Sequence, residues 1–279
     1  MSLNPHDLIS SRMALRTATL IVAGLGLGAV LSTGCASPVG TLAATAPAPM
    51  AVASPTPTAI PDGPLGDSIR LGQQIIEHTP QAAAAYVGNQ LNCADCHLDA
   101  GTRPGAGSLS GVSVIFPLYN PRSRRVITLA DRVEQCFVRS ENGRPVPYNS
   151  PTMVAILAYL SWLARGRPMG GPVAGRGFPG LPDDAHPDPR AGAAVYASQC
   201  AVCHGRHGTG QPPVLPPLWG PGAYNDGAGM NQIPKMAAFV AANMPQNHPG
   251  SLTPQQAFDV AAFVHAQPHP KLNPAYAGY

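Results

Sequence analysis

Apolar and polar positions along this chain change period several times, and each change marks a segment. From Thr17 to Gly34 the run is uncharged and apolar, preceded by Arg12 and Arg16. Residues 36–63 are mostly Ala, Pro and Thr with one charge, Asp62. Such a stretch cannot bury enough apolar surface to order itself and reads as a tether. Helical spacing begins at Asp67, placed as a cap, and holds to about His78, with Ile69, Gly72 and Ile76 on one face. Thr128-Leu129-Ala130-Asp131 opens a second helix, on which Arg132, Cys136 and Ser140 share a face. Ser150 caps a third helix, Pro151 takes its first position, and it runs to about Arg165. An Ala-rich helix covers Arg190 to Ser198, and an apolar helical stretch covers Ile233 to Ala242. Thr253, Pro254 and Gln256 open the last helix with a capping box, and it ends near Gln267. The pattern predicts an all-α chain.

Composition refines this. With 30 Gly, 33 Pro and only 11% charged residues in 279, the chain suits small, loop-rich domains built around something other than a large aliphatic core. A net charge of +3 excludes a nucleic-acid binder. Of the 17 basic residues only Lys235 and Lys271 are Lys, and seven of the arginines lie between Arg103 and Arg144. The N-terminal run reads as an export signal over residues 1–35. Leu31-Ser32-Thr33-Gly34-Cys35 resembles the box cleaved in bacterial lipoproteins, with Ser32 where Leu is commonest, so Cys35 is a candidate for lipid attachment. A signal peptide cleaved later and a retained membrane anchor are the alternatives.

The six cysteines would allow three disulfides in an oxidising compartment. Their spacing argues for something else. Cys93-Ala94-Asp95-Cys96-His97 and Cys200-Ala201-Val202-Cys203-His204 both read C-x-x-C-H. Two thiols at that spacing add to the vinyl groups of one porphyrin, and the adjacent His supplies the proximal iron ligand. A four-cysteine zinc site would need no adjacent His, and redox C-x-x-C pairs belong in a βαβ setting. The order helix, C-x-x-C-H, loop, helix occurs twice. We therefore expect two covalently bound haem c groups in two class I cytochrome c-like domains, residues 64–168 and 189–279. A Gly/Pro-rich linker over 169–188 joins them.

The distal ligands are less plainly marked. In the second domain Met230, Met236 and Met244 are candidates, with Lys235 and His248 near. Met244 is favoured because Pro245 and a short loop separate it from the final helix, whereas Met236 sits in the apolar stretch. In the first domain Met153 lies on the first turn of the closing helix, and no second His is available. Cys136 is the remaining donor. Flanking Arg132 and Arg139 would bias its thiol towards the thiolate that binds iron. Arg122, Arg124, Arg125, Arg132, Arg139 and Arg144 outnumber the nearby Asp131, Glu134 and Glu141. Some would pair with haem propionates, or form a solvated basic face. The surplus around a thiolate points to a small sulfur-containing dianion.

With these residues in place, the chain resembles the dihaem thiosulfate dehydrogenases, exported enzymes that join two thiosulfates into tetrathionate. The resemblance runs from about Leu65 to the C-terminus. It is densest in Phe116-Pro117-Leu118-Tyr119-Asn120 and from Arg125 through Pro147. It implies Cys136 as distal ligand and catalytic residue, Arg122, Arg132 and Ser140 lining the active site, and Met244 as distal ligand of the second haem. Some members carry Lys before that Met; Asn243 stands here, which implies His204/Met244 ligation in both redox states. A more distant similarity is to the haem subunit of sulfur-oxidising carrier complexes. The implied partners are thiosulfate, tetrathionate and a periplasmic or membrane redox protein, either a cytochrome or an iron–sulfur protein. The implied mechanism has Cys136 leave the first haem and bond transiently to a sulfane sulfur, and the same site could reduce tetrathionate. A non-catalytic electron-transfer cytochrome and a carrier-complex subunit are the rival readings.

Overall fold

Each haem-binding segment is enclosed by two helices that cross at a glycine. A computed structural model describes residues 59–182 and 184–279. The apolar leader, Cys35 and most of the Ala/Pro/Thr-rich stretch lie outside the described residues. Helix α1 spans Pro64–Glu77 and buries Ile69, Gly72, Ile75 and Ile76. Its start differs from the sequence expectation. Pro64, lacking an N–H, begins the helix behind Gly63, and Asp67 falls inside the first turn, where it pairs with Arg70 at 3.0 Å rather than capping.

A hairpin follows the first C-x-x-C-H segment: β1 (Leu118–Asn120) runs antiparallel to β2 (Arg125–Ile127). The helical pattern did not foresee it, because three-residue strands are too short to show a period of two. The Asn120 side chain accepts from the backbone N–H groups of Arg122 and Ser123, and Arg124 takes a left-handed φ of 51°. Helix α2 spans Leu129–Arg139. Thr128 and Asp131 form its capping box, and Arg125 holds Asp131 at 3.0 Å. Helix α3 spans Pro151–Leu163, with the Ser150 hydroxyl accepting from the N–H of Met153. Ile75, Ile76, Phe137, Met153, Ile156 and Tyr159 form the first core.

The second domain repeats the plan. Helix α4 spans Pro189–Val195, capped by Asp188, and a π-helical turn over Tyr196–Cys200 delivers the second C-x-x-C-H segment. Helix α5 spans Ile233–Asn243, and α6 spans Pro254–His265 behind the expected Thr253/Gln256 box. Their core holds Tyr196, Trp219, Met236, Phe258 and Val264. In both domains the first helix passes its closing helix so tightly that only glycine fits. A Cβ at Gly72 would lie 2.0 Å from the Ala155 carbonyl of α3, and one at Gly192 would lie 2.0 Å from the Asp259 carbonyl of α6.

The architecture is thus two helical cytochrome c domains with one small hairpin. The connecting stretch is strapped down rather than loose. Gly175 and Gly177 accept from the N–H groups of Gly105 and Gly107, and Phe178 packs edge-on against Phe239, with ring centroids 5.6 Å apart. Among the described residues no helix is long and apolar enough to cross a membrane.

Candidate active site

The two attachment segments present their histidines alike. His97 Nδ1 lies 2.5 Å from the Gly107 carbonyl, and His204 Nδ1 lies 3.0 Å from the Pro216 carbonyl. A carbonyl only accepts, so Nδ1 carries the proton in each ring and Nε2 is left with its lone pair. Burial also lowers the proton affinity of both rings. A neutral imidazole whose other nitrogen is held by a carbonyl is the donor that haem iron requires. With two cysteines beside each His, the residues fit two covalently bound haem c groups. The first segment is braced by the Tyr159 hydroxyl of α3, which donates to the Ala100 carbonyl at 2.7 Å.

Cys136 is half-buried on α2 and acts electrostatically on Cys93 and Cys96, so it belongs to the surroundings of the first attachment segment. Met153, the other sulfur considered, has no exposed surface and is a core residue. In the second domain Met236 is likewise packed in the core. Met244 stands just after α5, partly buried against Leu98, Ala106 and Phe239. Asn243 before it is tied down, its side chain donating to Phe239 at 3.0 Å and to Gly105 at 3.2 Å.

A cleft of about 390 Å³ is lined by Asn120, Arg122, Arg132, Gln135, Arg139 and Ser140, among them the sequence neighbours of Cys136 on α2. The hairpin delivers Arg122 and α2 delivers most of the rest. Arg122 also donates to the Gly227 carbonyl of the second domain at 2.9 Å. The structure therefore brings Arg122, Arg132 and Ser140 together around the segment that bears Cys136. It does not bring every arginine of the cluster there. Arg125 is paired with Asp131, and Arg144 donates to the Ala85 carbonyl at 2.6 Å while lying over Tyr86.

Electrostatics and unpartnered donors mark the cleft as an anion site. Arg122 and Arg139 are disfavoured as cations first by burial and then by neighbouring guanidiniums, and are favoured by Cys136. Arg139 is 5% exposed, donates to the carbonyls of Ala277 and Tyr279, and keeps its Nε–H without a partner. Gln135 is 1% exposed; its oxygen accepts from Asn120 at 3.2 Å, while its Nε2 donor is unsatisfied. Buried donors left orphaned in this way are poised for an acceptor from outside.

Gln135, Asn120 and, from the second domain, Gly229, Gln232 and Lys235 also line the cleft; the sequence pattern did not mark the first four, and it set Lys235 only near the distal-ligand candidates of the second haem. Gln135 lies inside the segment richest in family resemblance. Lys235 is one of only two lysines in the chain, which was the one available signal.

Residues 84–169 match the family model described as SoxA/TsdA, cytochrome c domain. Residues 187–264 match that of cytochrome C oxidase, cbb3-type, subunit III. The chain is 42% identical over 229 residues to a thiosulfate dehydrogenase of Thiomonas intermedia, covering 80% of this chain and 73% of that one. It is 40% identical to one of Allochromatium vinosum, covering 80% and 86%. The solved thiosulfate dehydrogenase (TsdBA) of Marichromatium purpuratum superposes with a TM-score of 0.75 at 41% identity over 81% of this chain. This chain spans about half the length of that one, 51%.

Proposed function

The chain belongs to the thiosulfate dehydrogenase family, and we propose that it couples two thiosulfates to one tetrathionate as a dihaem cytochrome c. The observation that carries the reading is the cleft. Three arginines line it, two of its lining residues keep buried donors without a partner, and the helix that supplies most of the lining carries the half-buried Cys136.

When bound, the haems would supply the one-electron acceptors; Cys93, Cys96, His97 and Cys136 would hold the first, and Cys200, Cys203, His204 and Met244 the second. Arg122, Arg132, Arg139 and Ser140 hold the first thiosulfate by its oxygens and offset its charge. The Cys136 thiolate and the sulfane sulfur form an S–S bond, and two electrons leave. A second thiosulfate attacks that sulfane sulfur. The bond to Cys136 breaks, tetrathionate is released, and the thiolate is regenerated; no proton is consumed. Run backwards, the same bonds reduce tetrathionate. The electrons pass to an external cytochrome or iron–sulfur protein.

Export fits the chemistry, since residues 1–35 read as a signal and Cys35 as a lipid site tethering the enzyme in the periplasm. Membrane fractionation of the holoprotein decides the anchor.

The test of function compares wild-type, Cys136→Gly and Cys136→Met holoproteins with thiosulfate and an artificial one-electron acceptor. Both variants should retain two haems by mass, and in Cys136→Gly the Met–iron band of the second haem should persist until Met244 is also replaced by Gly. Turnover should fall by orders of magnitude in both, because a thioether cannot form the S–S bond. Wild-type rates in Cys136→Met would reduce Cys136 to a ligand, and a wild type inert towards thiosulfate would leave a pure electron carrier.

A further inference from the structure

The cleft has two walls of different origin. Its arginines come from the first haem domain. Gln232 and Lys235 come from the second, at the cap and first turn of α5. The function proposed above requires two thiosulfates at once, one bonded to Cys136 and one arriving to attack it. Resting on that reading, we infer that Lys235, with Gln232 beside it, binds the attacking thiosulfate.

The chemistry sets where that position must be. Displacement at a divalent sulfur is in-line, so the nucleophile approaches opposite the leaving group. Cys136 is carried by α2, so the attacking thiosulfate is best held by lining that α2 does not supply, and Gln232 and Lys235 at the start of α5 belong to that lining. The positive groups divide in the same way: Arg122, Arg132 and Arg139 line the cleft from the first domain, and Lys235 lines it from the second.

Lys235 is also set apart by what it lacks. The ion pairs found among the described residues use other cations, and the chain's other lysine, Lys271, holds Asp226 at 3.0 Å. An ammonium beside two guanidiniums with no carboxylate suffers repulsion that an incoming dianion converts into attraction. The unpartnered Nε2 of Gln135, 1% exposed and in the wall of the same cleft, is an independent sign that an acceptor from outside completes this region. Space is adequate: the cleft of about 390 Å³ equals about thirteen liquid water volumes, enough for both anions and for the tetrathionate they form.

The two half-reactions separate the roles. Oxidised two-haem holoprotein is mixed with no more than one equivalent of thiosulfate, without an electron acceptor, so that no second thiosulfate is left to discharge the Cys136 adduct, and that adduct is measured by mass. Steady-state rates against thiosulfate concentration are measured in parallel for wild type, Lys235→Ala and Lys235→Arg. In Lys235→Ala the adduct should form at wild-type yield, whereas the half-saturating thiosulfate concentration should rise about tenfold or more, as removal of a charge that holds the substrate does. Lys235→Arg should reverse most of that rise. An unchanged half-saturation in Lys235→Ala overturns the inference, and so does a rise that Lys235→Arg does not reverse. Loss of the adduct in Lys235→Ala assigns the lysine to the first thiosulfate and overturns it too. Absence of any adduct in the wild type sinks the covalent function itself rather than the position of Lys235.

Discussion

At the scale of single residues, the site depends on groups held out of their ordinary state. Glu141 is 2% exposed, its Oε1 lies 3.7 Å from the Cys93 sulfur, and its Oε2 has no partner. Burial, reinforced by the nearby charge of Asp95, pushes its pKa from 4.5 up to about 8. A buried acid with a raised pKa stays protonated while the unfolded chain has already released the proton. Its stabilisation is complete below 4.5 and drains away as pH rises towards about 8. The thermal midpoint of the holoprotein should therefore fall across that window, and Glu141→Gln, which is neutral throughout, should flatten the fall. An unchanged pH profile in the variant would mean that Glu141 is not buried as an acid. Asp131 goes the other way. Burial would raise its pKa, but hydrogen bonds from Thr128, Tyr148 and Arg125 outweigh that and hold it well below the usual carboxylate range. One carboxyl thus anchors the cap of α2 as an anion, and the other sits beside the haem attachment as an acid.

At the scale of elements, helix crossing sets what the attachment segments can hold. Gly72 and Gly192 let α1 meet α3, and α4 meet α6, at backbone contact. A methyl group at either place would have to displace a rigid carbonyl, which no side-chain rotation can relieve. Gly72→Ala and Gly192→Ala should each destabilise the holoprotein by about 1–3 kcal/mol in denaturant unfolding. Gly180→Ala, with open space around it, should not. Equal stability of all three would refute the close crossing. Helix ends were the most legible feature of the chain. Thr128, Ser150 and Thr253 cap as their side chains dictate, because a cap is a local bond between neighbours in sequence. Asp67 was misread for the complementary reason: Pro64 starts α1 three residues earlier, and a proline at that position needs no cap partner for its missing N–H.

At the scale of the whole molecule, the two haem domains are joined by polar bonds that reach the end of the helix lining the cleft. Asn225 is 1% exposed; its side chain donates to the Val138 carbonyl at 2.8 Å and to Asn142 at 3.1 Å, and its N–H donates to the Arg139 carbonyl at 3.2 Å. It grips the end of α2, the helix that carries Cys136. Asn225→Ala should cost about 1–3 kcal/mol of stability, read as a lower thermal midpoint. An unaltered midpoint would show that the domains are held together elsewhere. By itself the sequence determined the two C-x-x-C-H attachments, the helical plan around each, and the shared helix face of Arg132, Cys136 and Ser140. These are written in spacings of a few residues, where covalent reach and helical period act directly, whereas Arg122 entered only with the family resemblance. Only the tertiary structure decided which arginines face the cleft and which are diverted to Asp131 or Ala85. It also decided that Gln135 is buried with a free donor and that Lys235, about a hundred residues from Cys136 along the chain, lines the same cleft. Those outcomes follow from how two domains pack, and packing brings together residues whose separation in sequence carries no periodic signal.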